Sequence, residues 1–209
     1  LMGLSEKLSQ LNFERNMNWV RPSKPSENVR QAIFAFKGDV YQGLDASSLS
    51  KSEIKYTQKN LLILSGLYGM LKPLDLMYPY RLEMGTKMKN KRGDNLYEFW
   101  GSKINRSINE LAKENKSKAI VNLASVEYFS VLSKDALDLP VISPVFKDYK
   151  NGQYKIISFF AKKARGTMTR FIMQNKVKKV EDLAGFNLDG YRYSEKESEE
   201  FSPVFLRKS

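Results

Sequence analysis

Cysteine and histidine are both absent from the 209 residues of the chain. Without them the protein cannot build a disulfide, a thiolate nucleophile, a zinc ribbon, a Ser-His-Asp triad or a histidine proton shuttle. A transition-metal or iron site would have only carboxylates, tyrosines and thioethers as ligands, so we expect no such site and no cofactor. Magnesium held by carboxylates and a nucleophilic lysine remain as routes to catalysis.

Long apolar runs are absent as well. A membrane-spanning helix needs about 20 consecutive apolar residues, whereas a run such as residues 61–64 ends after four. No secretory apolar region opens the chain. We therefore expect a soluble, cytoplasmic protein with no membrane partner.

Positive charge is in excess. Lysine and arginine number 35 against 23 aspartates and glutamates, which gives a net charge of +12 and an isoelectric point near 9.6. Phosphate polymers and anionic membranes are both attracted to a surface of this kind. The composition therefore favours an anionic partner.

One run is rich in glycine and ends in a lysine. Its candidate phosphate-binding residues are Ser65, Gly66, Leu67, Tyr68, Gly69 and Lys72. Glycine adopts positive φ without a Cβ clash, so Gly66 and Gly69 permit a sharp turn close to a ligand. A helix beginning near Met70 would add free amides, and the Lys72 ammonium a full charge. The alternative is a plain turn between two packed helices.

The most basic span covers residues 147–179, where ten lysines or arginines accompany one acidic residue, Asp148. Within it, residues 161–175 predict a helix whose apolar side includes Met168 and Ile172. The cations on its other faces are Lys162, Lys163, Arg165 and Arg170. They are candidates for phosphate contacts, and a merely solvated basic face is the alternative.

A second basic cluster follows the glycine run. Arg81 lies beside that run, and the loop after it contains Lys87, Lys89, Lys91 and Arg92. Such clusters contact nucleic acid in some proteins and are solvated loops in others. We include all five among the candidate DNA-binding residues.

Candidate catalytic residues come from three places. Lys37 and Asp39 stand two positions apart in a polar turn, and Asn122 and Glu127 are polar residues in apolar surroundings. Solvated turn charges and hydrogen-bonded structural roles are the alternatives. No spacing among these residues specifies a reaction, so catalysis stays uncertain and binding is favoured over it.

Periodicity predicts a mixture of helices and strands. We expect an amphipathic helix over residues 1–19, a buried strand within 31–41, and helices over 53–64 and 96–111. Residues 118–125 predict a strand and 126–129 the start of a helix. Asn151-Gly152 predicts a type I′ hairpin with Tyr149 opposite Tyr154 and Phe146 opposite Ile157. Length and the absence of repeats predict one domain over residues 1–209.

Four blocks resemble the YaaA family of bacterial peroxide-stress proteins. They are FKGDVYQGL (residues 36–44), LSGLYGMLKPLDLMYPYRLEMG (64–85), NLASVEYF (122–129) and ISFFAKKARGTMTRFI (157–172). They occur in the family's order over nearly the whole chain. The family's N-terminal strand and its Ser-Pro-Ala-Lys-Thr-like motif have no counterpart here, so we expect the natural polypeptide to extend upstream of residue 1.

The resemblance implies an α+β fold: a single compact domain of mixed sheets with surrounding helices, a basic cleft and a helix-hairpin-helix element at residues 65–72. It also implies DNA binding in the oxidative stress response and an association with DNA repair. The family has been linked to low intracellular iron, although direct chelation is unattractive for a chain without histidine or cysteine.

The first functional hypothesis is therefore a sequence-tolerant binder of duplex, junction or bubble DNA, with a monomer favoured. The second is a repair enzyme in which a lysine such as Lys37 or Lys162 attacks a sugar carbon, or carboxylates hold magnesium. A third is an RNA or nucleotide binder, since phosphate recognition does not by itself distinguish sugars.

Overall fold

Helices and short strands alternate along the chain in the computed structural model, which describes residues 5–208. The helices are α1 (Glu6–Met17), α2 (Ala32–Ala35), α3 (Asp39–Leu44), α4 (Lys51–Asn60), α5 (Leu96–Trp100), α6 (Lys103–Glu114), α7 (Val126–Phe129) and α8 (Ser158–Asn175). The strands are β1 (Arg30–Gln31), β2 (Ile63–Ser65), β3 (Gly69–Leu71), β4 (Leu76–Met77), β5 (Ile120–Val121), β6 (Val141–Ile142), β7 (Val145–Lys150), β8 (Gln153–Lys155), β9 (Arg192–Tyr193) and β10 (Val204–Arg207). This mixture confirms the α and β composition expected from the sequence.

The largest sheet has four strands in the order β8-β7-β10-β9. Its two central strands, β7 and β10, run parallel with Val145 beside Val204, and both outer pairs are antiparallel. The remaining strands form two-stranded sheets: β1 with β4 and β2 with β3 are antiparallel, whereas β5 with β6 is parallel.

An aromatic core lies between this sheet and helix α8. The ring of Phe146 stacks on that of Phe205 at 5.5 Å between centroids and meets the edges of Phe186 and Tyr191 at 5.9 and 5.4 Å. Met168 of α8 is fully buried against them. Burying one side chain of this size contributes about 1.5–3 kcal/mol, so this cluster holds the helix on the sheet.

One carboxylate is buried in the same core. Asp148 on β7 is 1% exposed, accepts a hydrogen bond from the Tyr191 hydroxyl at 3.0 Å, and forms an ion pair with Arg207 on β10. The Arg207 guanidinium also lies over the rings of Phe160 and Tyr191. Burial and the neighbouring Asp148 charge raise the pKa of Tyr191, which therefore stays a neutral donor.

Helix α3 crosses the other side of α8 with backbone against backbone. A Cβ atom at Gly166 would overlap the Val40 carbonyl oxygen, and one at Gly43 would overlap the Lys163 carbonyl oxygen. Only glycine permits this approach at both positions. The contact joins α8 to the part of the fold that contains α2, α4 and the β2–β3 hairpin, where Leu44, Ile63 and Leu71 are buried together.

A third apolar group lies under α5 and α6. Its buried members are Met84, Leu96, Ile104, Ile108, Val131 and Leu132. The helix expected over residues 96–111 is present as two helices, because Gly101 adopts φ +47° and breaks the pattern between them.

The strand predicted within residues 31–41 is wrong. Only Arg30–Gln31 is extended, and Ala32–Ala35 forms one helical turn. The amides of Ala32 and Ile33 donate to the carbonyls of Asp75 and Pro73, at 2.8 and 2.9 Å, rather than to a neighbouring strand. These partners are forty or more residues away along the chain, which local sequence does not reveal.

Helix α4 confirms the helix predicted over residues 53–64 only in part. It begins with a capping box in which Ser50 accepts from the Glu53 amide while the Glu53 carboxylate accepts from the Ser50 amide. It ends at Asn60, four residues early, because Ile63–Ser65 pairs with Gly69–Leu71 as a β-hairpin. The structure therefore places strands on both sides of the glycine turn, where the helix-hairpin-helix element was expected.

The hairpin predicted at Asn151-Gly152 is confirmed, with Tyr149 opposite Tyr154. Its ladder ends at Asp148 and Lys155, so the expected pair of Phe146 with Ile157 is wrong. Phe146 instead pairs with Phe205 of β10. The basic helix is confirmed as α8, and strand β5 and helix α7 occupy the predicted stretch at 118–129.

Helix α1 confirms the opening helix over Glu6–Met17, and residues 1–4 lie outside the described part. The apolar side expected of this helix is not buried throughout: Leu11 and Phe13 are exposed, whereas Asn12 is buried. Asn12 fixes the helix, because its Oδ1 accepts from the Arg81 amide at 3.1 Å and its Nδ2 donates to the Leu8 carbonyl at 2.7 Å.

Within residues 5–208, no helix combines the length and the apolar character that crossing a bilayer requires.

Substituting Gly166→Ala should destabilise the protein by about 3 kcal/mol, because the new methyl group overpacks the α3–α8 contact. Urea denaturation followed by circular dichroism measures this change. Gly185→Ala is the matched control, since its Cβ would meet only Phe171 Cζ at 3.7 Å. Equal unfolding midpoints for the two variants would contradict the role of the glycine contact.

Substituting Asp148→Ala should cost about 3–5 kcal/mol of stability at neutral pH, because it leaves the Arg207 guanidinium partly buried without its counter-charge. The same denaturation experiment applies. Lys147→Ala removes a solvent-exposed ion pair with Glu197 and should leave the midpoint nearly unchanged. A midpoint for Asp148→Ala close to that of Lys147→Ala would show that the buried pair is unimportant.

Candidate functional site

The β2–β3 hairpin contains the glycine run, and we call it the glycine hairpin. Two of its backbone N–H groups donate to acceptors within the hairpin. The Tyr68 amide donates to Ser65 Oγ at 3.0 Å, and the Met70 amide donates to the Tyr68 carbonyl at 2.9 Å. The Gly66 carbonyl accepts from Trp100 Nε1 at 3.0 Å. Met70 belongs to strand β3, so the helix end expected to face an anion is not formed there.

The hairpin is also covered. Ser65, Gly66 and Gly69 are buried, and a Cβ atom at Gly66 would overlap the Leu82 carbonyl oxygen. At Gly69, which has φ +73°, the Trp100 ring lies directly over the Cα atom. The glycines therefore serve close packing against Leu82 and Trp100, and a phosphate has no access to their amides. Among the predicted phosphate-binding residues, Lys72, which directly follows β3, has a half-exposed side chain.

Around this hairpin lie four tyrosines, Tyr41, Tyr68, Tyr80 and Tyr128, which we call the tyrosine cluster. Tyr80 shares a hydrogen bond of 2.6 Å with Ser65 Oγ, and its ring meets that of Tyr68 edge-on at 5.5 Å. Phe36 bridges two members, since it stacks on Tyr41 at 5.2 Å and meets the edge of Tyr80 at 6.2 Å.

The phenols of Tyr41, Tyr80 and Tyr128 resist ionisation, because burial raises the pKa of each. Desolvation is the largest cause that raises the pKa of Tyr41, and the charges that Tyr80 and Tyr128 would carry raise it further. The pKa of Tyr128 rises to about 12, again mainly through burial, with smaller contributions from Tyr80 and Glu127. At neutral pH these hydroxyl groups are therefore donors, not anions.

Sequence analysis did not select Tyr41 or Tyr128 as functional residues, and it selected Tyr68 only as part of the glycine run. The signal was present, because three of the four resemblance blocks contain one of these tyrosines or more. Tyr41 belongs to the first block, Tyr68 and Tyr80 to the second, and Tyr128 to the third. The fourth block forms α8, which packs on the helix that carries Tyr41.

The candidate catalytic residues lie in different local settings. Lys37 is exposed in the loop before α3, and Asp39 is the first residue of that helix. Glu127 accepts from the Gly85 amide at 2.9 Å through Oε1, while its carbonyl accepts from the Tyr97 hydroxyl at 3.0 Å. Glu127 thus holds two neighbouring segments in place.

Asn122 has a comparable local role. Its Oδ1 accepts from the Ala124 amide at 3.1 Å, and its Nδ2 lies 3.4 Å from Ser143 Oγ. It therefore fixes the turn between β5 and α7. Over residues 5–208, no group of three or more acidic side chains is positioned to hold a metal ion.

The cations of α8 differ in their partners. Lys162 is exposed and has no carboxylate within ion-pair distance among the described residues. Lys163 lies 3.9 Å from Asp189, and Arg170 lies 3.5 Å from Asp45. Arg165 is half-buried without a carboxylate partner in the same part of the chain, and desolvation lowers its pKa.

The basic character continues past the end of α8. A surface cavity of about 590 Å³ is lined by Phe171, Asn175, Lys176, Val177, Lys178, Lys179 and Asp182. Three ammonium groups therefore line a concave surface at the C-terminal end of the helix. A second cavity, of about 370 Å³, lies on α6 and is lined by residues of both charges.

The second basic cluster lies beside α5. Lys87, Lys89 and Lys91 are exposed, and Lys89 lies 3.9 Å from Asp94, which is also exposed. The Arg92 guanidinium lies over the Phe99 ring at 4.9 Å. Arg81 is exposed, with its amide bound to Asn12 as described above.

Helix α3 connects the two parts of the predicted site. It contributes Tyr41 to the tyrosine cluster beside the hairpin and packs against α8 through Gly43. The hairpin and the basic helix thus contact the same short helix. The hairpin and α8 are therefore connected by packing through α3. The buried glycine amides of the hairpin are not accessible to a ligand bound by α8.

Comparisons with known proteins identify relatives over the full chain. A family model described as peroxide stress protein YaaA matches residues 1–197. A UPF0246 protein of Aliivibrio fischeri is 57% identical over 208 residues, which cover 100% of this chain and 80% of the relative. UPF0246 proteins of Shewanella baltica and Pseudoalteromonas translucida are 56% and 55% identical, with 80% of each relative covered. The chain therefore belongs to the family of peroxide stress protein YaaA.

Proposed function

We propose that this protein binds DNA through its phosphate backbone, without reading sequence, as part of the peroxide stress response and in association with DNA repair. The family supplies the link to peroxide stress. The binding chemistry follows from the charge distribution, and a DNA partner implies a cytoplasmic location.

The observation that carries the proposal is the charge of residues 147–179. All ten lysines and arginines of this span are exposed or half-exposed. Its one acidic residue, Asp148, is 1% exposed and held by Arg207 and Tyr191. The span therefore presents no negative charge of its own to solvent, which is the electrostatic footprint of a polyanion-binding surface.

The spacing of these cations fits a nucleic acid better than a small anion. Helix α8 has 18 residues and is therefore about 27 Å long. Lys162, Lys163 and Arg165 lie near its start, and the lysine-lined cavity lies at its end. Cations separated by that distance neutralise several phosphates of one polymer, and the counterions released make binding strongly salt-dependent.

Sequence tolerance follows from the kind of contact. Lysine ammonium groups bind phosphate oxygens, which carry no direct sequence information. The hairpin contributes through Lys72 and Arg81 rather than through its amides, and the loop with Lys87, Lys91 and Arg92 supplies a second strip of cations. We place the primary contact on α8, because it belongs to the span with ten cations and one buried acidic residue, and because Lys162 and Arg165 have no carboxylate partner among the described residues.

Removing three cations from α8 should weaken duplex binding about 10- to 100-fold at roughly 0.1 M salt. The variant is Lys162→Ala with Lys163→Ala and Arg165→Ala. The slope of log affinity against log salt should fall by up to about 3, since up to three phosphate contacts are lost. Fluorescence anisotropy with a labelled duplex measures both quantities.

The matched control removes the same charge elsewhere. Lys103, Lys113 and Lys118 are exposed on or just after α6, and their triple alanine variant lowers the net charge equally. It should retain duplex affinity within about threefold. If the α8 triple variant binds the duplex as well as wild type, or if both variants lose affinity equally, the proposed surface is wrong. Far-ultraviolet circular dichroism verifies that both variants fold.

A second measurement addresses the enzyme hypothesis. We expect DNA binding without cleavage, because Glu127 and Asn122 are engaged in hydrogen bonds that hold neighbouring segments in place. Wild type should give no borohydride-trapped adduct with abasic DNA and no magnesium-dependent nicking. A trapped adduct that disappears in Lys162→Ala or Lys37→Ala would instead establish a lysine-dependent lyase.

A further inference from the structure

Apolar side chains project into solvent just before and within the first turn of α8. Ile156 is 62% exposed, Phe159 is 55% exposed and Phe160 is 38% exposed. A single exposed apolar residue is ordinary, but three within five residues form a patch, and patches of this kind mark interaction sites. We call these three residues the aromatic step.

The step is held rigidly. Phe159 and Phe160 lie in an 18-residue helix, and their rings meet at 5.6 Å with an interplanar angle of 65°. The Arg207 guanidinium lies over the Phe160 ring at 4.3 Å and is itself fixed by Asp148. Phe159 is therefore held by the helix and by its contact with Phe160, so a ligand that contacts its ring does not have to order a loop.

Positive charges surround the step. Lys155 precedes it, and Lys162 and Lys163 follow it within one helical turn. Asp148, the acidic residue nearest in sequence, is buried and paired with Arg207. Lys163 lies 3.9 Å from Asp189, whereas Lys155 and Lys162 have no carboxylate within ion-pair distance in the described part of the chain. An exposed aromatic ring flanked by ammonium groups is the combination by which proteins bind single-stranded nucleic acid, because bases stack on the ring while phosphates contact the cations.

We propose that the aromatic step is a stacking surface for unpaired nucleotides, with Phe159 as the side chain that contacts a base. This inference rests on the proposed function, since the phosphates of the same strand would be bound by Lys162 and its neighbours. It adds a preference for single-stranded segments, which phosphate contacts alone do not produce.

Charge complementarity favours this occupant over others. A second copy of the chain would bring the same positive charges face to face across the step, and like charges oppose such a contact. An acidic strand with flat bases matches both the rings and the ammonium groups. A second copy and an anionic membrane remain as alternative outcomes that the experiment separates.

The test compares Phe159→Ala with wild type on a labelled single strand of about 20 thymidines and on a labelled duplex of equal length, by fluorescence anisotropy at one salt concentration. Loss of one stacking ring should weaken single-strand binding about 5- to 100-fold and leave duplex affinity within about twofold. Phe13→Ala is the matched control, because Phe13 is 60% exposed on α1 and lies outside the basic span in sequence. It should bind both probes as wild type does.

The outcomes separate this inference from the proposed function. If wild type binds the duplex but not the single strand, or if Phe159→Ala binds both probes as wild type does, the stacking surface is wrong and phosphate binding stands. If wild type binds neither probe, the proposed function fails first. A change in sedimentation coefficient, or in binding to phosphatidylglycerol vesicles, without a change in single-strand affinity would assign the step to self-association or to lipid and overturn the inference.

Discussion

The contact between α3 and α8 is the constraint on which the rest of the structure depends. It requires glycine at residues 43 and 166, because in both places a carbonyl oxygen of the other helix occupies the space of a Cβ atom. Through it the four-stranded sheet with α8 meets the glycine hairpin and the tyrosine cluster. Segments that are far apart in the chain are thus joined through α3, a helix of six residues.

Charge is sorted by burial in the same region. Asp148 points inward and neutralises Arg207, which leaves the cations of residues 147–179 without an acidic neighbour from their own segment. Arg207 in turn supports Phe160, so a single buried carboxylate fixes both the sheet and the start of the basic helix. Strand β7 therefore contributes Asp148 to a charge-neutral buried pair, while its lysines remain on the positively charged surface.

Features set by neighbours in sequence were predictable. The Asn151-Gly152 turn and the amphipathic helix α8 follow from local chemistry. Features set by distant partners were not: Ala32 and Ile33 are helical because their amides find the carbonyls of Asp75 and Pro73. The glycine turn at residues 66–69 was recognised, but its burial under Leu82 and Trp100 was hidden, and so was the clustering of the tyrosines. The exposure of Phe159 was not predicted either.

The parallel pairing of β7 with β10 has a consequence for biosynthesis. Val145 lies beside Val204, 59 residues later, and β10 is a central strand of its sheet. During translation, α8 and the β7–β8 hairpin emerge from the ribosome well before their partner strand exists. The apolar face of α8 is therefore incompletely covered until residues 204–207 have left the exit tunnel. Pairing of β10 with β7 is thus a late and obligatory step in the folding of nascent chains.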